Sequence, residues 1–374
     1  MGCTGESKIK ENSNESNNPV VIKSNINQKK NFNMQNQEIQ IQKVQNDNNN
    51  MNQNNFNNKP ETTQQNKQHP QQNSYKNVDN PVKKKVISKE EMMSYKNLPN
   101  YDLFEKFINI KKVKEYLEDR EIIDGIFDEI KPLIKELFNR FKIQFEIITK
   151  NQVIDCVSYK VELTASTNQE NLDNYFPLFF LNFWHYPAEA FHHRIIKKFI
   201  FCDQLMFTTP SYSQPRAACP EWYKTSSMIY SMEIQSNDYL AEVMHHELFH
   251  YFDYMISHSR VDNAIENDWS KLNPPGFQYG SGGEYERVYV DINKKDNMYF
   301  VTHYAMSQCC EDRAETYARL MTKNSNWYNE QSKVVKMKLE KLKDFMKKRH
   351  DTIYIGNNDN YYYERLQNYL DTYN

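Results

Sequence analysis

Two histidines and one glutamate in the stretch Ser236–Arg260 have the residue types and the spacing of a metal site. His246 and His250 are four positions apart, and Glu247 directly follows the first histidine. Residues four apart lie one above the other on an α-helix, so both imidazoles would point the same way and could share one metal ion. Glu247 would lie about 100° around the helix from His246, close enough to reach a water held by that ion. The pattern therefore predicts a metal site with a carboxylate beside its water.

The remainder of this stretch predicts the helix that the spacing requires. Asn237 or Asp238 can cap its start. Apolar residues recur on the side opposite the histidines, as expected of a helix that packs in a core; they are Ala241, Met244, Leu248, Phe252 and Met255. The motif alone leaves a second interpretation open, in which the two histidines lie on the surface of an ordinary core helix.

Candidates for a further metal ligand lie downstream, in Phe300–Met321. Glu311 and Glu315 are four apart at the start of a predicted helix, so both carboxylates would face one way. A catalytic zinc site normally has three protein ligands and one open position, so one carboxylate could bind zinc while the other orients a ligand imidazole. Asp253, on the first helix, is a further candidate for that outer-shell role. The alternative is a solvated helix start favoured by the helix dipole.

The chain changes composition near residue 95, which predicts two regions. Residues 1–95 are dominated by Asn and Gln, with too few aromatic or branched residues to form a core, so we expect a disordered tail. Residues 96–374 are rich in Tyr, Phe, Ile and Leu and long enough for one folded domain with a large core.

Net charge, cysteines and the N-terminus restrict partners and location. The net charge of −2 and the lack of a basic stripe argue against nucleic acid as a partner. The 6 cysteines show no CxxC spacing and no secretory signal precedes them, which predicts reduced thiols in a cytoplasmic protein. Gly2 is a candidate for myristoylation and Cys3 for palmitoylation, and together they predict association with a membrane.

Periodicity from Glu90 onward predicts an α+β fold. The predicted helices are Glu90–Arg120, Glu121–Arg140 and Lys333–Arg349. The predicted strands are Lys142–Thr149, Val157–Thr164, Lys198–Phe207 and Met228–Ile234. Pro132 is expected to kink the second helix or to end it early. We interpret Leu172–Pro210, despite its paired His192 and His193, as a packed aromatic core and not as a second metal site. A strand at a sheet edge beside the metal, as we expect for Met228–Ile234, could pair with an extended peptide.

The order of these motif residues resembles a known family. The residues that carry the resemblance are His246-Glu247-x-x-His250, Asp253, Tyr304, Glu311, Glu315 and Arg319-Leu320-Met321. They are similar to the catalytic domain of anthrax lethal factor-like zinc metallopeptidases and related gluzincins, over roughly Met228–Met321. The resemblance implies a zincin-like metallopeptidase domain with a mixed sheet, an active-site helix and a C-terminal helical part. It also implies Zn²⁺ as cofactor and hydrolysis of peptide bonds in an intracellular protein or peptide.

Carried over residue by residue, the resemblance implies a role for each group. His246, His250 and Glu311 would bind zinc. Glu247 would be the general base, and Tyr304 would stabilise the oxyanion.

The same resemblance extends to the surroundings of the site. It implies an outer-shell role for Glu315, and Asp268–Gly280 resembles a Trp-x-x-Leu-Asn-Pro-x-Gly-Phe-x-Tyr connector between the two helices of related zinc peptidases. Phe249 departs from the family, which usually has Gly before the second histidine.

Several alternatives stay open at this level. Cys309-Cys310 could supply a thiolate that competes for zinc, or could be two buried apolar residues. His303 could replace Tyr304 above the substrate. The domain could be a catalytically inactive zincin-like scaffold or binding module on a membrane or cytoskeletal assembly, or a zinc hydrolase that acts on a non-peptide amide or ester.

Overall fold

The computed structural model describes residues 95–119, 121–191, 195–222, 224–233, 235–258, 268–280, 290, 294–295, 298–349 and 366. The predicted tail, apart from its last residue, and the candidate lipidation sites Gly2 and Cys3 lie outside the described residues, as do His192 and His193. All of the elements below belong to one compact unit, Pro81–Asn374.

Along the described residues of this unit, three helices are followed by three strands, one helix, five strands and four helices, which is the predicted α+β class. The helices are α1 (Tyr101–Ile108), α2 (Lys111–Asp119), α3 (Ile126–Phe141), α4 (Gln169–Phe183), α5 (Asn237–His258), α6 (Cys309–Thr322), α7 (Ser325–Glu330) and α8 (Lys333–Arg349). The strands are β1 (Gln144–Ile147), β2 (Gln152–Asp155), β3 (Lys160–Leu163), β4 (Lys198–Cys202), β5 (Leu205–Thr208), β6 (Ser213–Arg216), β7 (Ala218–Glu221) and β8 (Ser227–Ser231). None of the helices in the described residues is both long and apolar enough to cross a membrane.

The strands form two four-stranded sheets. The first has the order β1-β4-β8-β7 and is mixed, because β1, β4 and β8 run parallel while β7 is antiparallel to β8. The second has the order β2-β3-β5-β6 and is antiparallel throughout. The mixed sheet confirms the predicted fold class. The prediction that Met228–Ile234 forms an edge strand is wrong, since β8 is paired on both sides; within the described residues the edge strands of this sheet are β1 and β7.

Alternation along the strands of the mixed sheet separates two cores. On β4, Phe199 and Phe201 belong to the main core beneath the helices, whereas Ile200 and Cys202 belong to a smaller core shared with the second sheet. Successive side chains of a strand point to opposite faces, and both faces of this sheet are covered, so its central strands β4 and β8 are buried along almost their whole length. The sheet therefore gives α5 a rigid support.

Three predicted elements differ from the observed ones. Within the described part of the predicted helix Glu90–Arg120, α1 and α2 are separate helices with a break at Asn109 and Ile110, and residues 97–100 before α1 are not helical. The predicted strand Lys198–Phe207 is likewise two strands, β4 and β5. Helix α3 does not end at Pro132, because the burial of its apolar side outweighs the hydrogen bond that proline removes.

Candidate metal centre

Helices α5 and α6 pack against each other and bring three predicted ligands to one point. His246 and His250 lie one turn apart on α5, and Glu311 lies in the first turn of α6. The two Nε2 atoms are 3.0 Å apart, and Oε2 of Glu311 lies 3.1 Å from His246 Nε2 and 3.2 Å from His250 Nε2. Three potential ligand atoms thus form an almost equilateral triangle, and within the described residues they make up the one group suited to a metal ion.

The triangle fits a zinc ion better than it fits a hydrogen-bonded cluster. Tetrahedral zinc with bonds of about 2.0–2.1 Å holds neighbouring ligand atoms about 3.3 Å apart, close to the observed separations. Oε2 of Glu311 is buried and makes no hydrogen bond within the described residues, although two imidazole nitrogens lie within 3.2 Å of it. Two nitrogens and one carboxylate oxygen are also the ligand types that zinc prefers. The residues present therefore fit the ion that the sequence resemblance implies.

His246 lies between two carboxylates, and its charge reflects them. Nδ1 is 2.7 Å from Oε1 of Glu315, while Nε2 faces Glu311. Burial lowers the pKa of His246, but the carboxylates of Glu311 and Glu315 outweigh it and raise that pKa to about 10. Burial raises the pKa of Glu311, yet the two histidines hold it well below its usual range. The site thus requires a cation, either a proton on His246 or a metal ion in its place.

Glu247 is half-buried on the side of α5 that adjoins the triangle, and its carboxylate contributes to the raised pKa of both His246 and Tyr304. Its Oε2 atom is buried and has no hydrogen-bond partner among the described residues. An unpaired buried carboxylate oxygen is costly, which is a reason to look for a functional role. Glu247 is therefore placed as a carboxylate that can accept a proton beside the metal site.

Tyr304 lies beside the first histidine of the triangle. Its ring centroid is 6.0 Å from that of His246, and the side chain is 47% exposed. Burial and the nearby Glu311 raise the pKa of Tyr304, while Arg216 on β6 opposes that rise. The phenol therefore keeps its proton at neutral pH and can donate it in a hydrogen bond.

Comparisons with known proteins add one structural likeness. No family model and no curated protein matches the chain. Among solved structures, the chain is similar to the crystal structure of a protein from Bacteroides caccae that is assigned as a zinc-binding metallo-peptidase. The two share 16% sequence identity over 71% of this chain and 94% of the other, with a TM-score of 0.40.

The thiols beside Glu311 do not join the triangle. Cys309 Sγ accepts a hydrogen bond from Arg313 at 3.0 Å, and Cys310 Sγ lies 3.5 Å from Oε1 of Gln308. Burial, and next Glu311, raise the pKa of Cys310 to about 12, so it is a thiol and not a thiolate at neutral pH. Both cysteines are half-buried, in place of the fully buried pair that the sequence suggested.

Two further predictions concern Asp253 and His303. Asp253 forms a buried bidentate pair with Arg313. Its predicted outer-shell role beside an imidazole stays a prediction. His303 immediately precedes Tyr304, but in the described contacts it is the Tyr304 ring that lies beside His246.

A buried hydrogen-bonded chain behind the ligands was not predicted. Asn182 donates to the Leu178 carbonyl, so its Oδ1 is the acceptor for His245 Nε2 at 2.9 Å. His245 Nδ1 must then accept from the Tyr186 hydroxyl at 3.0 Å, whose oxygen accepts from Tyr317 at 2.9 Å. Burial lowers the pKa of His245 to about 3, so it stays neutral. The chain joins α4, α5 and α6 directly behind the ligands.

Phe249 and Arg216 complete the surroundings. Phe249, the departure from the family pattern, is fully buried with its ring centroid 4.8 Å from that of Tyr317, so it packs α5 against α6.

The sequence did not single out Arg216, because one arginine in a short strand carries no periodic signal. Its partial burial close to Tyr304 became visible only in three dimensions.

Proposed function

We propose that this protein is a zinc-dependent metallopeptidase of the gluzincin type, with His246, His250 and Glu311 as the zinc ligands. The observation that carries the proposal is the triangle of two imidazole nitrogens and one carboxylate oxygen, with sides of 3.0, 3.1 and 3.2 Å. Glu315 supports it, because a carboxylate 2.7 Å from Nδ1 of His246 orients the imidazole so that Nε2 faces the metal position.

Each step of the proposed hydrolysis is assigned to a group at or beside the triangle. Zinc bound at this site would act as a Lewis acid and lower the pKa of a water to about 7. Glu247 accepts a proton from the attacking water and passes it to the leaving amine. Tyr304 donates its hydroxyl proton in a hydrogen bond to the carbonyl oxygen of the scissile peptide as negative charge develops there.

The edge strand β7 suits a peptide substrate. Within the described residues it pairs with β8 on one side only, and it packs against α5. Pro220 lies on this strand, where a missing N–H is tolerated at a sheet edge. An extended substrate would pair with the free side of β7 and place its backbone across the site. We propose a cytoplasmic protein or peptide as the substrate, with acylated Gly2 and Cys3 bringing the enzyme to a membrane.

The test is hydrolysis of a mixed peptide pool by the full chain reconstituted with zinc, with and without a chelator. Wild type should bind one zinc per chain and cleave peptides in a chelator-sensitive way. Glu247→Gln should keep zinc and lose turnover by on the order of a hundredfold or more, and His250→Ala should lose both. Glu340→Gln, an exposed residue on α8, is the matched control and should behave as wild type.

Each result favours one function. If wild type retains zinc but cleaves no peptide, the inactive zincin-like scaffold is favoured. If it hydrolyses only esters or non-peptide amides, a zinc hydrolase that does not act on peptides is favoured. Cleavage by Glu247→Gln at the wild-type rate would refute the role of Glu247.

A further inference from the structure

The two residues that follow Glu311 are both charged and buried, and each is paired with a different helix. Arg313 donates from Nε and Nη2 to the two carboxylate oxygens of Asp253 on α5, at 2.9 and 2.7 Å. Asp312 accepts from Nζ of Lys338 on α8 at 2.6 Å, and both side chains are fully buried. The first turn of α6 is thus attached to the histidine helix on one side and to the C-terminal helix on the other.

The connector between the two ligand helices joins the same carboxylate. Trp269 Nε1 and the Tyr279 hydroxyl donate to Oδ2 of Asp312 at 2.8 and 2.7 Å. Asn273 in turn donates to the Tyr279 hydroxyl at 2.7 Å. The polar and aromatic residues of the connector therefore converge on the residue next to Glu311.

A gain in stability is a weak explanation for these pairs. Replacing a buried ion pair by apolar residues of similar volume is often neutral or stabilising, because the loss of hydration offsets the attraction between the charges. A buried charge needs its partner, so only a packing of the helices that keeps both pairs together is satisfied. Because the two pairs involve consecutive residues of α6, they restrict both the rotation and the translation of this helix. A shift of one residue would move Glu311 by about 1.5 Å along the axis and about 100° around it. Such a shift would remove its oxygen from the two nitrogens.

We propose that Asp253–Arg313 and Asp312–Lys338 are positioning pairs that set the register of α6, and that α8 is consequently required for zinc affinity. Helix α8 itself contributes no member to the metal group found in the described residues. The inference rests on the zinc site of the proposed function, but it does not depend on which bond the enzyme hydrolyses.

The first test replaces Asp312→Asn together with Lys338→Met in the full chain. The double change avoids an unpaired buried charge, and Asn keeps an oxygen that can accept from the connector. Two quantities are measured: the zinc dissociation constant, by competition with a chelator, and the thermal unfolding midpoint of the zinc-free protein. We expect the unfolding midpoint to stay near that of wild type and the zinc affinity to fall about tenfold to a hundredfold. A purely structural pair would lower the unfolding midpoint and leave the zinc affinity unchanged.

A second variant covers the case in which the first does not fold. Asp253→Asn with Arg313→Met removes the other pair and should weaken zinc binding by a similar factor. The matched control is Lys323→Met, which removes an ion pair with Glu242 at 2.7 Å. That pair also joins α5 to the end of α6, but it lies about three turns beyond Glu311, so its removal should leave zinc affinity unchanged.

The outcomes separate this inference from the proposed function. Unchanged zinc affinity in a folded positioning-pair variant would overturn the inference. So would an equal loss in the control, since any link between α5 and α6 would then suffice. A wild type that binds zinc and cleaves no peptide would contradict the proposed function, while the comparison of zinc affinities would still decide the inference.

Discussion

Replacing Glu315 by Gln isolates the effect of the negative charge beside His246, the first of the proposed zinc ligands. One carboxylate oxygen of Glu315 lies 2.7 Å from His246 Nδ1, and the other accepts from the Thr302 hydroxyl at 2.8 Å. Gln has the same shape, so its oxygen can face the imidazole while its NH₂ group donates to Thr302. The geometry is kept and the negative charge is lost.

The expected loss of zinc affinity follows from the strength of the hydrogen bond between Glu315 and His246. Hydrogen bonds to charged groups contribute about 1.5–3 kcal/mol, and neutral ones about 0.5–1.5 kcal/mol. The difference, about 1–1.5 kcal/mol, corresponds to a zinc affinity weaker by about fivefold to tenfold. Glu315→Ala, which also frees the imidazole to rotate, should cost up to about a hundredfold.

The assay is competition for zinc with a chelator of known affinity, followed at constant pH. Thr302→Val is the matched control, because it removes the hydroxyl from Glu315 and leaves the contact with His246 in place. Zinc affinity of Glu315→Gln equal to that of wild type, or a larger loss in Thr302→Val, would refute the reasoning.

The other predictions concern the reaction, pH and the N-terminus. Tyr304→Phe should lower kcat on the order of a hundredfold with zinc affinity unchanged; an unchanged kcat would remove Tyr304 from the mechanism. Arg216→Met should lower kcat by about tenfold through Tyr304 and cause no further loss in the Tyr304→Phe background, whereas additive losses in steady-state kinetics would contradict that coupling. His246 in the zinc-free protein has its pKa raised to about 10, so a proton must leave as zinc binds, and affinity measured by chelator competition should rise about tenfold per pH unit between about pH 6 and 8. An affinity independent of pH would contradict a protonated His246. Cells given an alkyne analogue of myristate should label the wild type and not Gly2→Ala, and an unlabelled wild type would rule out the predicted acylation of Gly2.

The helix that carries the histidines was predictable because its signal is local. A four-residue spacing and an apolar side opposite the histidines define α5 within a few residues of its observed bounds. The same spacing places Glu311 and Glu315 on one side of α6. Which of these two carboxylates faces both Nε2 atoms depends on how α5 packs against α6, and at the sequence level that choice came only from the family resemblance.

The missed features depend on contacts between distant residues or on weak local signals. Helix α4 is buried on nearly all sides, so it lacks the polar face that makes a helix recognisable in sequence. Strands β6 and β7 are four residues each and contain prolines, which the strand pattern disfavours. Arg313 lies 60 positions after Asp253, and no local pattern pairs them.

The most direct test of the metal centre is zinc K-edge X-ray absorption on the full chain loaded with one equivalent of zinc. Binding by His246, His250 and Glu311 predicts nitrogen and oxygen ligands at about 2.0–2.1 Å, with the outer scattering of two imidazoles. Sulfur at about 2.3 Å would show that a cysteine has replaced one of these ligands, and a shell without imidazole would contradict the site altogether.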